Sequence, residues 1–202
     1  MALPTIYLAR HGETAWTLTG QHTGLTDLPL TPNGEAEAAR LATRLAELHA
    51  EVIYTSPLQR ASKTCAIAGL APTAIIDPDL VEWDYGDYEG LRSPEIRALN
   101  PTWKLFRDGA PNGESVEAAS NRADRVIARL RSNPVNHLLF SSGHFLRVLA
   151  TRWLGLPLGL HCLSFQLNTA SLSALSYEHN FDRPVVSLWN ETHHLNTSQT
   201  PK

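Results

Sequence analysis

The sequence predicts an α/β sandwich built on a mostly parallel sheet, and three observations carry that prediction. Short apolar runs rich in strand formers alternate with longer stretches of helical periodicity, the pattern of strand–helix–strand units. The first of these runs, TIYLA at 5–9, is apolar along its length, as a strand buried on both faces would be. Three polar, chemistry-bearing stretches follow the ends of strand candidates, the edge where ligands bind in such folds: Arg10-His11, Ser56–Arg60 and Ser141–His144.

The elements follow in order. After the first strand, residues 31–48 (TPNGEAEAARLATRLAEL) read as a helix. Thr31 suits the N-cap, Pro32 the first helical position and Glu35 the first turn. Ala38, Leu41, Ala42, Leu45 and Leu48 recur on one face. EVIYT (51–55) is a second strand, followed by a Ser-Pro turn and a helix over about 58–69, and TAIID (73–77) is a third short strand. Residues 80–113 are acidic, aromatic and broken by Pro94, Pro101 and Pro111, which suits a loop or lid with short helical pieces. Helical periodicity returns over 114–131 through Val116, Ala119, Ala123, Val126, Ile127 and Leu130. A strand then runs to about Ser141, and a helix to Leu154 stops at Gly155 with Pro157 beyond. SLSALSYE (171–178) and RPVVSLW (183–189) are strand-like, and 191–202 should be frayed.

Composition narrows the function. At 202 residues the chain forms one domain of ordinary size, or a domain with a small lid, and buries roughly 70% of its unfolded surface without a metal or disulfide staple. A net charge of −3 without basic blocks argues against a nucleic-acid partner. Cys65 and Cys162 lie far apart in apolar surroundings and read as two reduced, buried thiols. No apolar stretch approaches the ~20 residues of a bilayer span, and MALPTIYLAR lacks the charged leader and apolar core of a secretion signal. A cytoplasmic protein is the expectation, with no membrane partner; the oligomeric state stays open, a dimer included.

The chemistry begins at YLARHGETAW, residues 7–16. Arg10 offers a planar fork that matches phosphate oxygens. His11 is a nucleophile able to form a phosphohistidine, and the neighbouring guanidinium disfavours its imidazolium and keeps it reactive. Gly12 lets the backbone approach an anion, and Thr14 has a hydroxyl to donate. An Arg-His pair that merely ends a strand is the plain alternative. Arg60, at the start of a helix after TSPLQ, supplies a second clamp at the same edge. Phosphoryl transfer also needs a proton for the leaving alkoxide. EWDYGDYEG offers Glu82, Asp84, Asp87 and Glu89, any of which a phosphate dianion would help keep protonated; composition does not choose among them. His49, His137, His161, His179, His193 and His194 show no ligand spacing and read as structural or exposed.

RHGET, SPLQRAxxT and EWDYGDYEG together resemble the histidine phosphatase superfamily, also called phosphoglycerate mutase-like. ARHGETAW, GQHTGLTDLPLTPNGE and FRDGAPNGES resemble most its sedoheptulose-1,7-bisphosphatase-like branch, over about residues 5–155. The resemblance implies a three-layer sandwich with helices on both sides of the sheet, in one domain spanning 1–202 with a lid-like insertion at about 83–113. It implies His11 as the phosphorylated nucleophile, Arg10 and Arg60 as phosphate clamps, and Glu82 as proton donor. Thr23 and Gly24 match a substrate-contacting loop and Tyr85 a pocket residue. No metal and no cofactor are implied. His22 is a substrate contact or a surface imidazole, and Arg107 a holder of a distal second phosphate or a surface charge.

One departure matters. The family places a second phosphate-binding histidine after the later strand, and here that position is Ser142 in Ser141-Ser142-Gly143-His144-Phe145-Leu146-Arg147. Ser142 and the following helix N-terminus replace it, or His144 swings in, or the site is weakened, naturally or by engineering. The expected function is hydrolysis of a small phosphorylated metabolite, a sugar phosphate or bisphosphate, through a phosphohistidine. The alternatives are a mutase, which the short Gly90–Asn112 segment disfavours, and a phospholigand-binding protein weakened at Ser142.

Overall fold

The computed structural model describes residues 3–196. Six strands form one sheet in the order β3-β2-β4-β1-β5-β6: β1 Ile6–Arg10, β2 Val52–Thr55, β3 Ala74–Ile76, β4 His137–Ser141, β5 Leu172–Tyr177 and β6 Pro184–Glu191. The β3, β2, β4 and β1 strands run parallel, and β5 and β6 add an antiparallel margin. The α/β class with a largely parallel sheet is therefore the observed one.

Seven helices accompany the sheet among the described residues: α1 Ala15–Thr19, α2 Pro32–Leu45, α3 Gln59–Ile67, α4 Ser93–Leu99, α5 Leu105–Asp108, α6 Val116–Ser132 and α7 Gly143–Trp153. Side-chain alternation on the strands divides the core into two layers. Ala9, Leu138 and Phe140 face Leu41 and Leu45 of α2 and Ala61 and Cys65 of α3. Ile6, Leu8 and Leu139 face Val126 and Leu130 of α6 and Phe145 and Leu149 of α7. Both cysteines are free and buried.

Local chemistry explains the helix ends. Thr31 caps α2 by accepting from the Gly34 N–H, with Pro32 following. The helix stops at Leu45, short of the predicted Leu48, whose side chain still packs half-buried against the core. Ser115 caps α6 in the same way through the Ala118 N–H. After α7, Gly155 takes the left-handed conformation expected of a terminator (φ 73°).

The structure changes or refines several expectations. The 80–113 segment has its short helical pieces, α4 and α5, but Trp83, Tyr85, Tyr88, Trp103 and Phe106 are buried members of the α6/α7 core. Gly12 serves a different close approach from the one read in the sequence: a Cβ there would collide with the Gly34 carbonyl, and a Cβ on Gly34 with the Glu13 carbonyl. The loop after β1 thus lies directly on the start of α2. Thr14 is buried as the N-cap of α1, its hydroxyl accepting from the Thr17 N–H. At the other end, residues through 196 are ordered by β6 and by a turn at His193–Leu195, where His194 Nε2 donates to the Ala170 carbonyl (2.9 Å). Residues 197–202 lie outside the described part.

Because the Gly12–Gly34 contact is backbone against backbone, neither side can yield cheaply. Gly34→Ala should lower unfolding stability by about 1–3 kcal/mol, read from the urea midpoint at unchanged slope. A midpoint equal to wild type would show that the β1 loop moves freely off α2.

Candidate active site

The carboxyl ends of β1, β2 and β4 open on a cavity of about 170 Å³, several times the roughly 30 Å³ share of a water in the liquid. Arg10, His11 and Glu82 lie at its base, and Trp16, His22, Thr23, Tyr85 and His144 are among its walls.

His11 ends β1 and is 3% exposed. Its Nδ1–H donates to its neighbour's carbonyl, Gly12 O, at 2.7 Å, which leaves Nε2 with the free lone pair. Burial first, then the charges of Arg60 and Arg10, hold its pKa well below the ordinary histidine value. The imidazole is therefore neutral at physiological pH, as a nucleophile requires.

Arg60, on the first turn of α3, is completely buried. Its Nη1 donates to the Thr26 carbonyl (3.0 Å) and its Nη2 to those of Gly24 (2.7 Å) and Thr23 (3.3 Å). Glu89 fixes that loop by accepting from the N–H groups of Gly24 (2.8 Å) and Thr26 (3.1 Å). Thr64 ties α3 to the nucleophile: its hydroxyl donates to Arg60 O (2.7 Å) and accepts from the Gly12 N–H (3.1 Å). Arg10 donates through Nη1 to Leu167 O (2.6 Å). Its guanidinium lies against the start of α7, where a Cβ on Gly143 would come within 3.2 Å of Nε.

Glu82 is 5% exposed and occupies the N-terminus of α7. Its carboxyl oxygens accept from the N–H groups of His144 (2.9 Å), Phe145 (2.7 Å) and Trp83 (2.9 Å). Of the four acids in EWDYGDYEG, it alone lines the cavity. Asp84 closes a turn on the Gly86 N–H, Asp87 accepts from Asn112, and Glu89 holds the Arg60 loop.

Four buried donors of this region have no partner among the described residues, Nε of Arg10, Arg60 and Arg147 and Oγ of Ser142, and of these residues Arg10 lines the cavity. Buried polar groups are ordinarily satisfied, so a cluster left open among three guanidinium groups suits an anion.

The remaining sequence candidates divide. Thr23 lines the cavity, whereas Gly24 acts through its backbone on Arg60. Tyr85 lines it and hydrogen-bonds His144 Nδ1; burial and the Glu82 charge raise its phenol well above the ordinary value. His22 is no surface imidazole: it packs on Tyr85 (4.8 Å between ring centres) and against the edge of Trp103 (5.7 Å), and burial lowers its pKa to about 4. His144 is lowered well below the ordinary value by burial and by Arg147. Ser142 is fully buried, does not line the cavity, and caps none of the α7 N–H groups. Arg107 is not brought to the cavity. It is exposed on α5, where Asp108 (2.6 and 2.8 Å) and the Thr102 carbonyl (2.6 Å) take its donors. Two contributors escaped the sequence reading. Gly143 carried only the general hint of a small residue after a strand. Arg147 was visible as the end of a motif but had no assignable role. Among the described residues no group of three or more His, Cys, Asp or Glu side chains is placed to hold a metal, and no helix is long and apolar enough to cross a membrane.

Comparison with known proteins agrees with this geometry. The family model described as histidine phosphatase superfamily (branch 1) matches residues 6–192. An acid phosphatase of Mycobacterium tuberculosis is 40% identical over 185 residues, covering 90% of each chain. Sedoheptulose 1,7-bisphosphatase of Saccharomyces cerevisiae is 34% identical over 228 residues, covering 92% of this chain and 84% of its own. A solved structure, the product of a Mycobacterium tuberculosis open reading frame, superposes with a TM-score of 0.88 at 37% identity, over 94% of this chain and 98% of that one.

His11, His22 and His144 are held neutral in the fold but take up protons once unfolded, at the ordinary histidine pKa near 6.5. Below that pH the unfolded state binds more protons, so stability must fall as pH drops from 7 toward 4, at up to about 1.4 kcal/mol per pH unit for each histidine. Urea titrations at pH 7.5 and 5 check this. The loss should be smaller in His22→Gln, and an equal loss would remove His22 from the account.

Proposed function

From the premise that this chain belongs to the histidine phosphatase superfamily and is a phosphatase of a phosphorylated metabolite, we propose that His11 carries the phosphoryl group and that the substrate is a sugar phosphate or bisphosphate. The observation that carries this reading is a neutral imidazole with Nε2 free, flanked by two buried guanidinium groups at the base of a cavity.

Nε2 of His11 attacks phosphorus in line, forming the N–P bond as the bond to the substrate oxygen breaks. Arg10 and Arg60 hold the equatorial oxygens, each with an Nε–H that no protein group occupies. With the phosphate dianion bound beside it, Glu82 is held protonated; it gives that proton to the leaving alkoxide, and the sugar alcohol departs. Water then attacks the phosphohistidine, its proton passes to Glu82, and inorganic phosphate leaves His11 as it began. The uncharged polar groups of the outer wall, Gln21, His22, Thr23 and Tyr85, suit the hydroxyls of a sugar, and the 83–113 insertion covers that side through Tyr85.

Ser142 stands where the family has its second histidine. We infer a working but slower phosphatase. The α7 N–H groups of His144 and Phe145 are already taken by Glu82, and His144 is engaged by Tyr85, so neither replaces the missing imidazole while those bonds persist. Loss of one donor to a transition state costs about 10²–10³ in rate.

Inorganic phosphate release from a panel of sugar mono- and bisphosphates tests the reading. Wild type should release phosphate, His11→Ala should not, and Ser142→His should be faster. A positional isomer in place of phosphate would make the protein a mutase. Thermal stabilisation by the substrates with no turnover would make it a binding protein. An unchanged rate in Ser142→His would place residue 142 away from the phosphoryl group.

A further inference from the structure

Glu82 sits on a stretch with no regular helix or strand, between the turns Pro78–Leu80 and Gly86–Tyr88. A side chain on such a segment holds its place only if the backbone beneath it is gripped. The grip comes from Arg122, in the second turn of α6, 7% exposed and outside the cavity lining. Its Nη1 donates to the carbonyls of Asp79 (2.9 Å) and Val81 (2.7 Å), and its Nη2 reaches that of Glu82 itself (3.4 Å). The rest of the fork closes on Glu114, Nε to Oε1 at 2.8 Å and Nη2 to Oε2 at 2.6 Å.

Glu114 completes the clamp from the other side of Glu82. Its carbonyl accepts from the Trp83 indole N–H (2.9 Å), and its own N–H donates to the Asp84 carbonyl (2.8 Å). The guanidinium also lies 4.2 Å from the ring centre of Phe145, whose N–H is one of the donors to the Glu82 carboxylate. One buried ion pair therefore fixes the backbone before Glu82, the backbone after it, and the helix start that receives its carboxylate.

We propose that Arg122, paired with Glu114, is a positioning residue for proton transfer: it holds Glu82 at the leaving-group oxygen and touches no substrate. The inference rests on the reading of Glu82 as the proton donor. Lysine cannot replace it, because a single ammonium cannot serve three carbonyls and a bidentate carboxylate together.

Leaving-group dependence separates this from a merely structural role. A sugar phosphate expels an alkoxide that needs a proton, whereas 2,4-dinitrophenyl phosphate expels a phenolate that does not. kcat/KM for both substrates, which reports the step that phosphorylates His11, is measured in wild type, Arg122→Lys and Glu82→Gln. The sugar phosphate is the one turned over fastest in the panel. Arg122→Lys should lose on the order of 10–100-fold toward the sugar phosphate, the scale of a small misplacement, and less than about threefold toward the dinitrophenyl ester. Should Arg122→Lys fail to fold, Arg122→Met with Glu114→Gln removes both buried charges at once and takes its place. Equal losses on the two substrates, or no loss on either, overturn the inference while Glu82→Gln still shows the selective loss. If Glu82→Gln shows no selectivity, the reading of Glu82 falls and the inference with it.

Discussion

The constraint on which the site depends is the burial of two guanidinium groups beside one imidazole. Burial alone presses on all three, lowering the pKa of Arg10 and Arg60 and lowering His11 further through their charge. Arginine tolerates that cost because it stays protonated well above any physiological pH, and histidine responds by giving up its proton. The same repulsion that makes the base of the cavity expensive thus keeps the His11 imidazole neutral. Glu82 is the carboxylate that weighs most on both arginines, so the residue proposed as proton donor is also the local counter-charge.

What keeps the guanidinium groups in place is mostly carbonyl oxygen. Arg60 takes three carbonyls from the Thr23–Thr26 loop, and Arg10 takes Leu167 O. Carbonyls orient a cation without cancelling its charge, which leaves the field at the cavity positive. A carboxylate in direct contact would neutralise it, and that is the fate of Arg107 beside Asp108. The arginines differ by partner type more than by position in the chain.

Much of the fold was legible in the sequence because its signals are local. The capping threonine, proline and apolar periodicity of α2, the apolar run of β1 and the stop at Gly155 each act within a few residues. Of the residues a motif names, Arg10, His11, Glu82 and Tyr85 line one cavity, and Arg60 lies near enough to His11 to lower its pKa. What the sequence leaves open is decided at long range. Gly12 meets Gly34, Arg107 follows the outer face of α5, and His22 packs half-buried against Tyr85 and Trp103, far from it in the chain. Arg122 was invisible for the same reason, since its role comes from a segment about forty residues earlier in the chain.

The start of α7 concentrates these demands on four consecutive residues. Ser142 holds the family's histidine position, Gly143 makes room for the Arg10 guanidinium, and the N–H groups of His144 and Phe145 receive Glu82. A helix N-terminus has only a few free N–H groups, and here two of them are spent on a carboxylate of the protein itself. On the proposed reading, phosphate binding at this edge then rests on side-chain donors more than on the helix, with Ser142 itself buried and outside the cavity lining. The residues proposed as nucleophile, clamps and acid come from three places in the chain, the end of β1, the first turn of α3 and the loop that carries Glu82, and Arg10 and Glu82 meet at this one turn.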